Sequence, residues 1–278
     1  MKIIIIQIVI LVMFPFLGHS QSEFSIYGGG GLSGLHYKTT AGNAAIGSGG
    51  QYGLGYRYFF GQSFGVGMNV GFARYRTDFN AENINLAYRA KDIEDIEFDF
   101  RSSVHSYKEK QDIAFLQIPL MMQYNIGNYY IAGGVKAGIP LSGKYSNSAT
   151  TLKNSGYYVE EEYEYTTQRF MGFGTFNDIS SEGNLDFKTV FFITLESGFE
   201  VKLGDIPSFY FGFYLDYGLN NTINKKSLKL VEYNTASPAD FTLNSVANSY
   251  YAQNKPIADK ISPFAFGVKI TFALGFGK

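Results

Sequence analysis

The sequence has no cysteine, no tryptophan and few charged residues among its 278 positions. Without cysteine, the chain cannot form a disulfide scaffold, supply a thiol nucleophile or bind zinc through thiolates. Its 23 basic and 24 acidic residues nearly cancel, which excludes the positively charged surface that nucleic-acid binding requires. Charged residues make up 17% of the chain, compared with about 25% in typical soluble domains.

Glycine and aromatic residues are abundant instead. The chain contains 32 Gly, 22 Tyr and 26 Phe, and 45% of it is hydrophobic. A sequence of this kind can bury a large apolar surface, so extensive disorder is excluded. Because aromatic residues are enriched in strands, this composition indicates a protein with many β-strands.

The first 20 residues have the features of a secretory signal peptide. Lys2 supplies a positive start, residues 3–17 are almost wholly apolar, and Gly18-His19-Ser20 places small residues before a cleavage site. The apolar run contains Pro15 and is shorter than the roughly 20 residues that a membrane-spanning helix needs, so an anchoring helix is the less favoured alternative. We predict cleavage after Ser20 and a single mature domain over residues 21–278.

After residue 20, apolar residues alternate with small or polar ones at a period of two, which predicts strands. Phe64, Val66 and Met68, for example, share one face of a strand, and Gly65 and Gly67 share the other. The same alternation predicts eight strands, at residues 24–37, 51–60, 64–72, 116–124, 131–139, 191–201, 209–217 and 264–276. A count of ten, with a further hairpin taken from residues 146–186, stays open.

The connections between these strands alternate strictly in length. Short turns are expected at 61–63, 127–128 and 204–208, and long polar connections at 38–50, 79–111, 146–186 and 220–261. This alternation is typical of an outer-membrane barrel, which has short periplasmic turns and longer extracellular loops. We therefore predict an all-β fold: an eight-stranded antiparallel transmembrane β-barrel, an up-and-down meander with four long extracellular loops, in the outer membrane of a Gram-negative bacterium.

The two faces of the strands differ in a way that assigns them to lipid and lumen. The Phe, Leu, Ile and Val rows are expected to face lipid, because eight strands enclose only enough space for small and polar side chains. A soluble sandwich or lipocalin-like barrel is the alternative, in which these rows form the core. The inward charges, three of each sign, predict a salt-bridged plug rather than an ion path, although their pairing stays open: they are Arg57, Lys136, Glu196, Glu200, Asp216 and Lys269.

One strand also carries a family resemblance. Residues 116–120 read Leu-Gln-Ile-Pro-Leu, a hydrophobic-x-Ile-Pro-Leu pattern, and the last predicted strand ends in an aromatic-rich segment at 264–276. The chain resembles the small OmpA/OmpX-type outer-membrane barrels of bacteria, and especially the porin-like "outer membrane protein beta-barrel domain" group of Bacteroidetes. The resemblance extends over the mature chain and implies a location and an architecture, without a shared activity.

No catalytic, cofactor or metal site is predicted. Ser33 and His36 could form part of a hydrolase site, but no second catalytic motif accompanies them, and a histidine at the barrel rim is favoured. The acidic stretches 92–99 and 160–164 could bind Ca²⁺ or the divalent ions that bridge lipopolysaccharide, yet they lack the ligand spacing of a calcium loop. A strand-like extension above the membrane is the favoured interpretation of both stretches.

The sequence thus favours a non-enzymatic protein that is structural or binds surfaces through its long loops, in the manner of an adhesin. The expected partners are the lipid bilayer with its lipopolysaccharide and an extracellular protein or host-surface ligand. A monomer without nucleic-acid partners is expected. A narrow passive channel is the alternative, followed by an outer-membrane lipid-modifying enzyme.

Overall fold

The computed structural model describes residues 21–39, 41–204, 206–224, 228–251 and 255–276. The predicted signal peptide lies outside these residues. The described strands, in chain order, are β1 (Gln21–Lys38), β2 (Asn43–Phe60), β3 (Phe64–Lys91), β4 (Glu97–Ile126), β5 (Tyr129–Tyr158), β6 (Tyr163–Tyr165), β7 (Gly174–Asn184), β8 (Val190–Lys202), β9 (Pro207–Gly218), β10 (Leu228–Lys229), β11 (Val231–Glu232), β12 (Thr242–Leu243), β13 (Ser249–Tyr250) and β14 (Lys260–Phe276), with a 3₁₀ turn at Arg169–Met171. The described residues include no helix long and apolar enough to cross a membrane.

Eight antiparallel positions close into a barrel. Strands β1 to β5 pair in sequence order, β5 pairs with β8, β8 with β9, β9 with β14, and β14 returns to β1. At the sixth position, β8 pairs with residues 129–138 of β5, and β7 pairs with residues 144–154 of the same strand. Residues 174–202 therefore act as one interrupted strand. The predicted eight-stranded barrel is confirmed, and the count of ten is wrong.

The alternation of side chains across the barrel wall follows the sequence prediction. On β1, Phe24 and Ile26 are more than half exposed, whereas Tyr27 on the opposite face of the strand is buried. A barrel in water would hide these apolar rows, whereas hydrocarbon solvates them and leaves the polar residues inside. Each of the eight positions contributes an outward row of this kind. These rows, which we call the apolar belt, are bounded on β3 and β4 by Phe72 and Leu116.

The long connections are built differently from the expectation. Much of the predicted loop at 79–111 is strand, because β3 continues to Lys91, β4 starts at Glu97, and only residues 92–96 join them. Beyond the apolar belt the alternation changes phase, so that apolar residues point inward and charged residues point outward. We call this part the extension: residues 73–91, 97–115 and 142–158 with β7. Because its outward residues are charged, the sequence of the extension reads like that of polar loops.

The interior of the extension is filled by the connection between β9 and β14. Leu230, Val231, Leu243 and Val246 from this connection have no solvent exposure and belong to one hydrophobic core with the inward residues of β3, β4 and β5. The Tyr88 hydroxyl donates a hydrogen bond to the Val231 carbonyl at 3.0 Å. The fourth predicted loop thus folds back into the barrel mouth, where burial of its apolar residues stabilises it.

Candidate functional site

The lumen of the barrel contains a buried ion pair between strands β5 and β9, which lie on either side of β8. The Lys136 Nζ donates a hydrogen bond to the Asp216 Oδ2 at 2.7 Å, and both side chains are almost fully buried. Lys136 also lies 3.5 Å from the Gln51 amide oxygen. Beside Asp216, a cavity of only about 10 Å³ is lined by Gln51 and Tyr214 among others. A space of this size is about the minimum that a single water molecule requires.

A second ion pair joins strands β8 and β14. The Lys269 Nζ donates to the Glu196 Oε1 at 2.6 Å and lies 4.4 Å from the centre of the Tyr27 ring. The ammonium group is therefore held by both a carboxylate and an aromatic face. With Lys136 and Asp216, this pair places four of the six predicted lumen residues in direct charge contacts.

The remaining two predicted residues bond to partners that sequence reasoning missed. The Arg57 Nη1 lies 3.2 Å from the Glu23 Oε2, and its guanidinium lies 4.8 Å from the centre of the Tyr210 ring. Glu200 accepts a hydrogen bond from the Ser208 hydroxyl at 2.9 Å. Glu23 could have been found from the alternation of β1, because it precedes the outward Phe24. Sequence reasoning began that strand one residue too late.

Glycine on the inner wall accommodates the large rings that cross the lumen. Tyr27 extends from β1 toward β2 and β3, and a Cβ added to Gly53 would lie 2.7 Å from its hydroxyl oxygen. Above the Lys136 pair, Tyr75 packs against Phe115 and Phe192 with ring centres 5.5 and 6.2 Å away. The lumen is thus filled by charged pairs and aromatic rings rather than being lined by charge of one sign.

In the extension, a buried carboxylate anchors the connection between β9 and β14. Glu109 accepts hydrogen bonds from the Ser245 hydroxyl at 2.5 Å and the Val246 amide at 3.0 Å, as well as from Tyr107 and Gln111. Burial raises the pKa of Glu109 above its ordinary value of 4.5, although all four donors favour the ionised form. This anchor was not predicted, because nothing in the sequence links position 109 to position 245.

The end of the extension farthest from the apolar belt exposes apolar side chains among carboxylates. We call residues 92–96 and 159–171 the tip. Ile93 and Phe170 are about three-quarters exposed, at 75% and 76%. The hydroxyl of Tyr158, the residue that precedes the second part of the tip, donates to the Asp92 Oδ2 of the first part at 2.9 Å. The surrounding exposed acidic residues are Glu94, Asp95, Glu160, Glu161 and Glu162.

The structure does not assemble the hydrolase site or the metal site that the sequence analysis considered. Ser33 is buried and donates to the Arg74 carbonyl, whereas His36 is exposed on the opposite face of β1, so they do not form a pair. In the first acidic stretch, Asp92 accepts hydrogen bonds from its own turn, including the Ile96 amide at 2.9 Å. Among the described residues, no group of three or more His, Cys, Asp or Glu side chains is placed to hold a metal ion.

Three solved structures are similar to this chain at low sequence identity. The outer membrane protein OprG from Pseudomonas aeruginosa is 14% identical with a TM-score of 0.36, over 95% of this chain and 100% of that one. Ail, the attachment invasion locus protein of Yersinia pestis, solved with the heparin analogue sucrose octasulfate, is 11% identical with a TM-score of 0.31, over 93% and 100%. Neisserial surface protein A is 6% identical with a TM-score of 0.29, over 90% and 95%.

The sequence also matches one family of proteins. The family model described as "Outer membrane protein beta-barrel domain" matches residues 19–224, which include most of the barrel wall. No curated protein sequence matches the chain.

Proposed function

This chain belongs to the outer membrane protein beta-barrel domain family, and we propose that it is a non-enzymatic protein that binds partners at the bacterial surface. The barrel lies in the outer membrane, with its apolar belt in the hydrocarbon and its extension outside the cell. The proposal has two parts: the lumen is closed, and the tip of the extension carries the binding surface.

The buried contacts of the lumen support a closed barrel. The Lys136–Asp216 and Lys269–Glu196 pairs lie inside the lumen at 2.7 and 2.6 Å, and each links strands two positions apart in the ring. Ion-conducting pores use rings of like charge around a water-filled path, whereas these charges neutralise each other in a space that side chains fill.

The exposed apolar residues of the tip are the observation that carries the binding role. From Ala73 to Lys91, β3 extends about 60 Å along its own axis beyond the apolar belt, at roughly 3.3 Å per residue. Ile93 and Phe170 are thus exposed far from the lipid, where no hydrocarbon can solvate them. Exposed apolar residues rimmed by polar ones are typical of protein-binding surfaces.

The charge of the tip indicates the chemistry of its partner. Exposed carboxylates of Glu94, Asp95 and Glu160 border the apolar residues. A protein surface with apolar groups bordered by Lys or Arg would complement this pattern, and its association would weaken as salt rises. We infer an extracellular protein of this kind as the partner, with the barrel acting as an adhesin-like anchor.

Adhesion assays with tip variants test this function. Cells that display the wild-type chain are expected to adhere to surfaces coated with basic proteins more strongly than to surfaces coated with acidic ones. The double substitution Ile93→Ser/Phe170→Ser should reduce that adhesion about tenfold or more, because central apolar contacts dominate interface energies. Surface labelling should show equal display of both chains.

The control changes exposed polar residues of the same extension. Asn177→Ser/Glu182→Ser on β7 leaves the tip intact, and adhesion should match the wild type. Equal adhesion of the tip variant and the wild type on every coated surface would refute the proposed role of the tip.

A further inference from the structure

The end of β2 leaves a step in the wall of the extension. β2 begins at Asn43, which stands opposite Asn80 of β3 in register, whereas β3 continues to Lys91. A hollow of about 800 Å³ lies at this step. Its volume falls within the range of roughly 300–1,000 Å³ that is usual for small-molecule sites. The exposed polar residues of its lining are Asn43, Asn80, Glu82, Asn83 and Lys108.

One wall of the hollow is fixed by contacts within the chain. The Thr39 hydroxyl donates a hydrogen bond to the Ile257 carbonyl at 2.5 Å and accepts one from the Ala41 amide at 3.1 Å. Gly42 packs so close to β3 that a Cβ added to it would lie 2.4 Å from the Asn80 carbonyl oxygen. A wall that is ordered before binding lowers the entropic cost of holding a ligand.

A slip in the alternation of β3 turns two neighbouring polar side chains outward beside the hollow. Ala81 and Ile84 are buried, whereas Glu82 and Asn83 between them are exposed. β4 slips at the same level, where Ser106 has a φ of 50°. Bulges of this kind re-aim side chains, and a left-handed φ at a residue other than glycine carries an energetic cost. The backbone here thus departs from regular pairing in a way that gathers polar groups at the hollow.

The amides that line the hollow lack partners in the described part of the chain. The side chains of Asn43, Asn80 and Asn83 make no hydrogen bond there. Amides elsewhere on the outer surface of the extension do: Asn85 accepts a hydrogen bond from a serine hydroxyl at 2.7 Å, and Asn177 accepts one from a threonine hydroxyl at 3.3 Å. The amides at the hollow are therefore free to bind a ligand.

The charge and polarity of the hollow define the class of ligand. One carboxylate, Glu82, and one ammonium group, Lys108, give its exposed lining no net charge. A phosphate or sulfate group needs an excess of basic side chains. A large apolar ligand needs accessible apolar side chains, whereas Tyr107, the aromatic residue among the described lining residues, is buried. Amide and hydroxyl groups both donate and accept hydrogen bonds, so a neutral ligand rich in hydroxyl groups fits this lining.

We propose that Asn43, Asn80, Glu82 and Asn83 bind a neutral oligosaccharide. An amide can donate to one sugar hydroxyl and accept from its neighbour, and the Glu82 carboxylate can accept from two. At roughly 3.3 Å per residue, Glu82 lies about 33 Å along β3 from Phe72 at the edge of the apolar belt, so the hollow is exposed to glycans outside the cell. The site is distinct from the tip and does not depend on the binding role proposed for it.

Calorimetric titration of the folded full barrel tests the site. The detergent should be an amine oxide, because glycoside detergents carry sugar headgroups that would compete. The probes are neutral tetrasaccharides of animal glycans and of bacterial surface polysaccharides, which distinguish two sources of such a ligand, and sulfated tetrasaccharides are the comparison.

Binding of a neutral probe is the expected result. The double substitution Asn80→Ala/Asn83→Ala should weaken this binding about tenfold or more, because each lost hydrogen bond costs affinity severalfold. No binding of any neutral probe at millimolar concentration would overturn the proposal. Tighter binding of the sulfated probes would also overturn it, because the site would then select for anions.

The matched control removes two exposed asparagines from β7. Asn177→Ala/Asn184→Ala makes the same change outside the hollow, and oligosaccharide binding should match the wild type. The tip variant Ile93→Ser/Phe170→Ser should also bind the probe normally. An equal loss in the β7 control would attribute the effect to a general change of the surface, and a loss in the tip variant would place the sugar at the tip. Either result would overturn the site.

A second variant keeps the test decisive if changes beside the slip of β3 impair folding. Asn43→Leu lies on β2, away from that slip, where it removes one amide and narrows the hollow. It should weaken binding severalfold, while the gel mobility of unboiled samples shows that the barrel is folded. Unchanged binding in this variant would contradict the proposal.

Discussion

At the residue scale, the Lys136–Asp216 pair should be a large single contribution to the stability of the barrel. Replacing Lys136 by Met leaves the Asp216 carboxylate buried without its cation, which typically costs about 3–5 kcal/mol of unfolding free energy. Urea titration in detergent, read by the gel mobility of unboiled samples, should show this loss. The chain has no tryptophan, so gel mobility replaces tryptophan fluorescence as the signal.

The double variant and an exposed control separate charge burial from loss of packing. Lys136→Met/Asp216→Leu should recover most of the lost stability, because neither buried charge remains. Lys153→Met on the exposed outer surface should change the unfolding free energy by less than about 0.5 kcal/mol. If the single Lys136 variant were as stable as the wild type, the pair would not be a structural element of the lumen.

The individual lumen charges were predictable, but their pairing was not. Lys136 and Asp216 lie on strands with strict alternation, so their inward direction follows from period two. Their contact depends on the vertical offset between β5 and β9, which flank β8, and that offset is not written in the local sequence. Glu23 is a different case, because its inward direction follows from the alternation of β1 and only the predicted start of that strand excluded it.

At the scale of elements, the connection between β9 and β14 should loosen when its anchor is removed. Glu109→Ala leaves the Ser245 hydroxyl and the Val246 amide buried without an acceptor, at a cost of about 1–3 kcal/mol for each unsatisfied group. Amide hydrogen exchange at Val246 should therefore accelerate roughly tenfold or more. Exchange in the barrel strands should stay slow.

An exposed carboxylate provides the control for this anchor. Glu182→Ala on β7 removes an exposed outward charge and should leave exchange at Val246 unchanged. Unchanged exchange in the Glu109 variant as well would mean that apolar packing of Leu243 and Val246 alone holds the connection.

The extension shows why element lengths were harder to predict than element types. Residues 79–91 and 97–111 also alternate, with apolar residues inward and charged residues outward, although each strand slips by one residue, at 82–83 on β3 and 105–106 on β4. The phase of the alternation therefore changes at the membrane boundary while the backbone pairing continues. A search for apolar rows on the lipid face ends at that boundary, although the strands do not.

At the scale of the whole molecule, side chains fill the inside of the barrel in successive layers from the lumen to the mouth. Ion pairs occupy the lumen at the level of the apolar belt, rings of Tyr75, Phe115 and Phe192 lie above them, and the Glu109 anchor closes the extension. A water path would have to cross each of these layers. We therefore expect the barrel to stay closed when the outermost layer alone is loosened.

Planar-bilayer recordings test this closure. The wild-type protein should show no steady conductance, and neither should the Glu109→Ala variant, because the Lys136–Asp216 and Lys269–Glu196 pairs still occupy the lumen beneath the loosened connection. Steady conductance in the wild type would contradict the closed lumen and support a narrow passive channel. Conductance in the Glu109 variant alone would instead assign the barrier to the extension, since the lumen pairs would then have to coexist with a continuous water path.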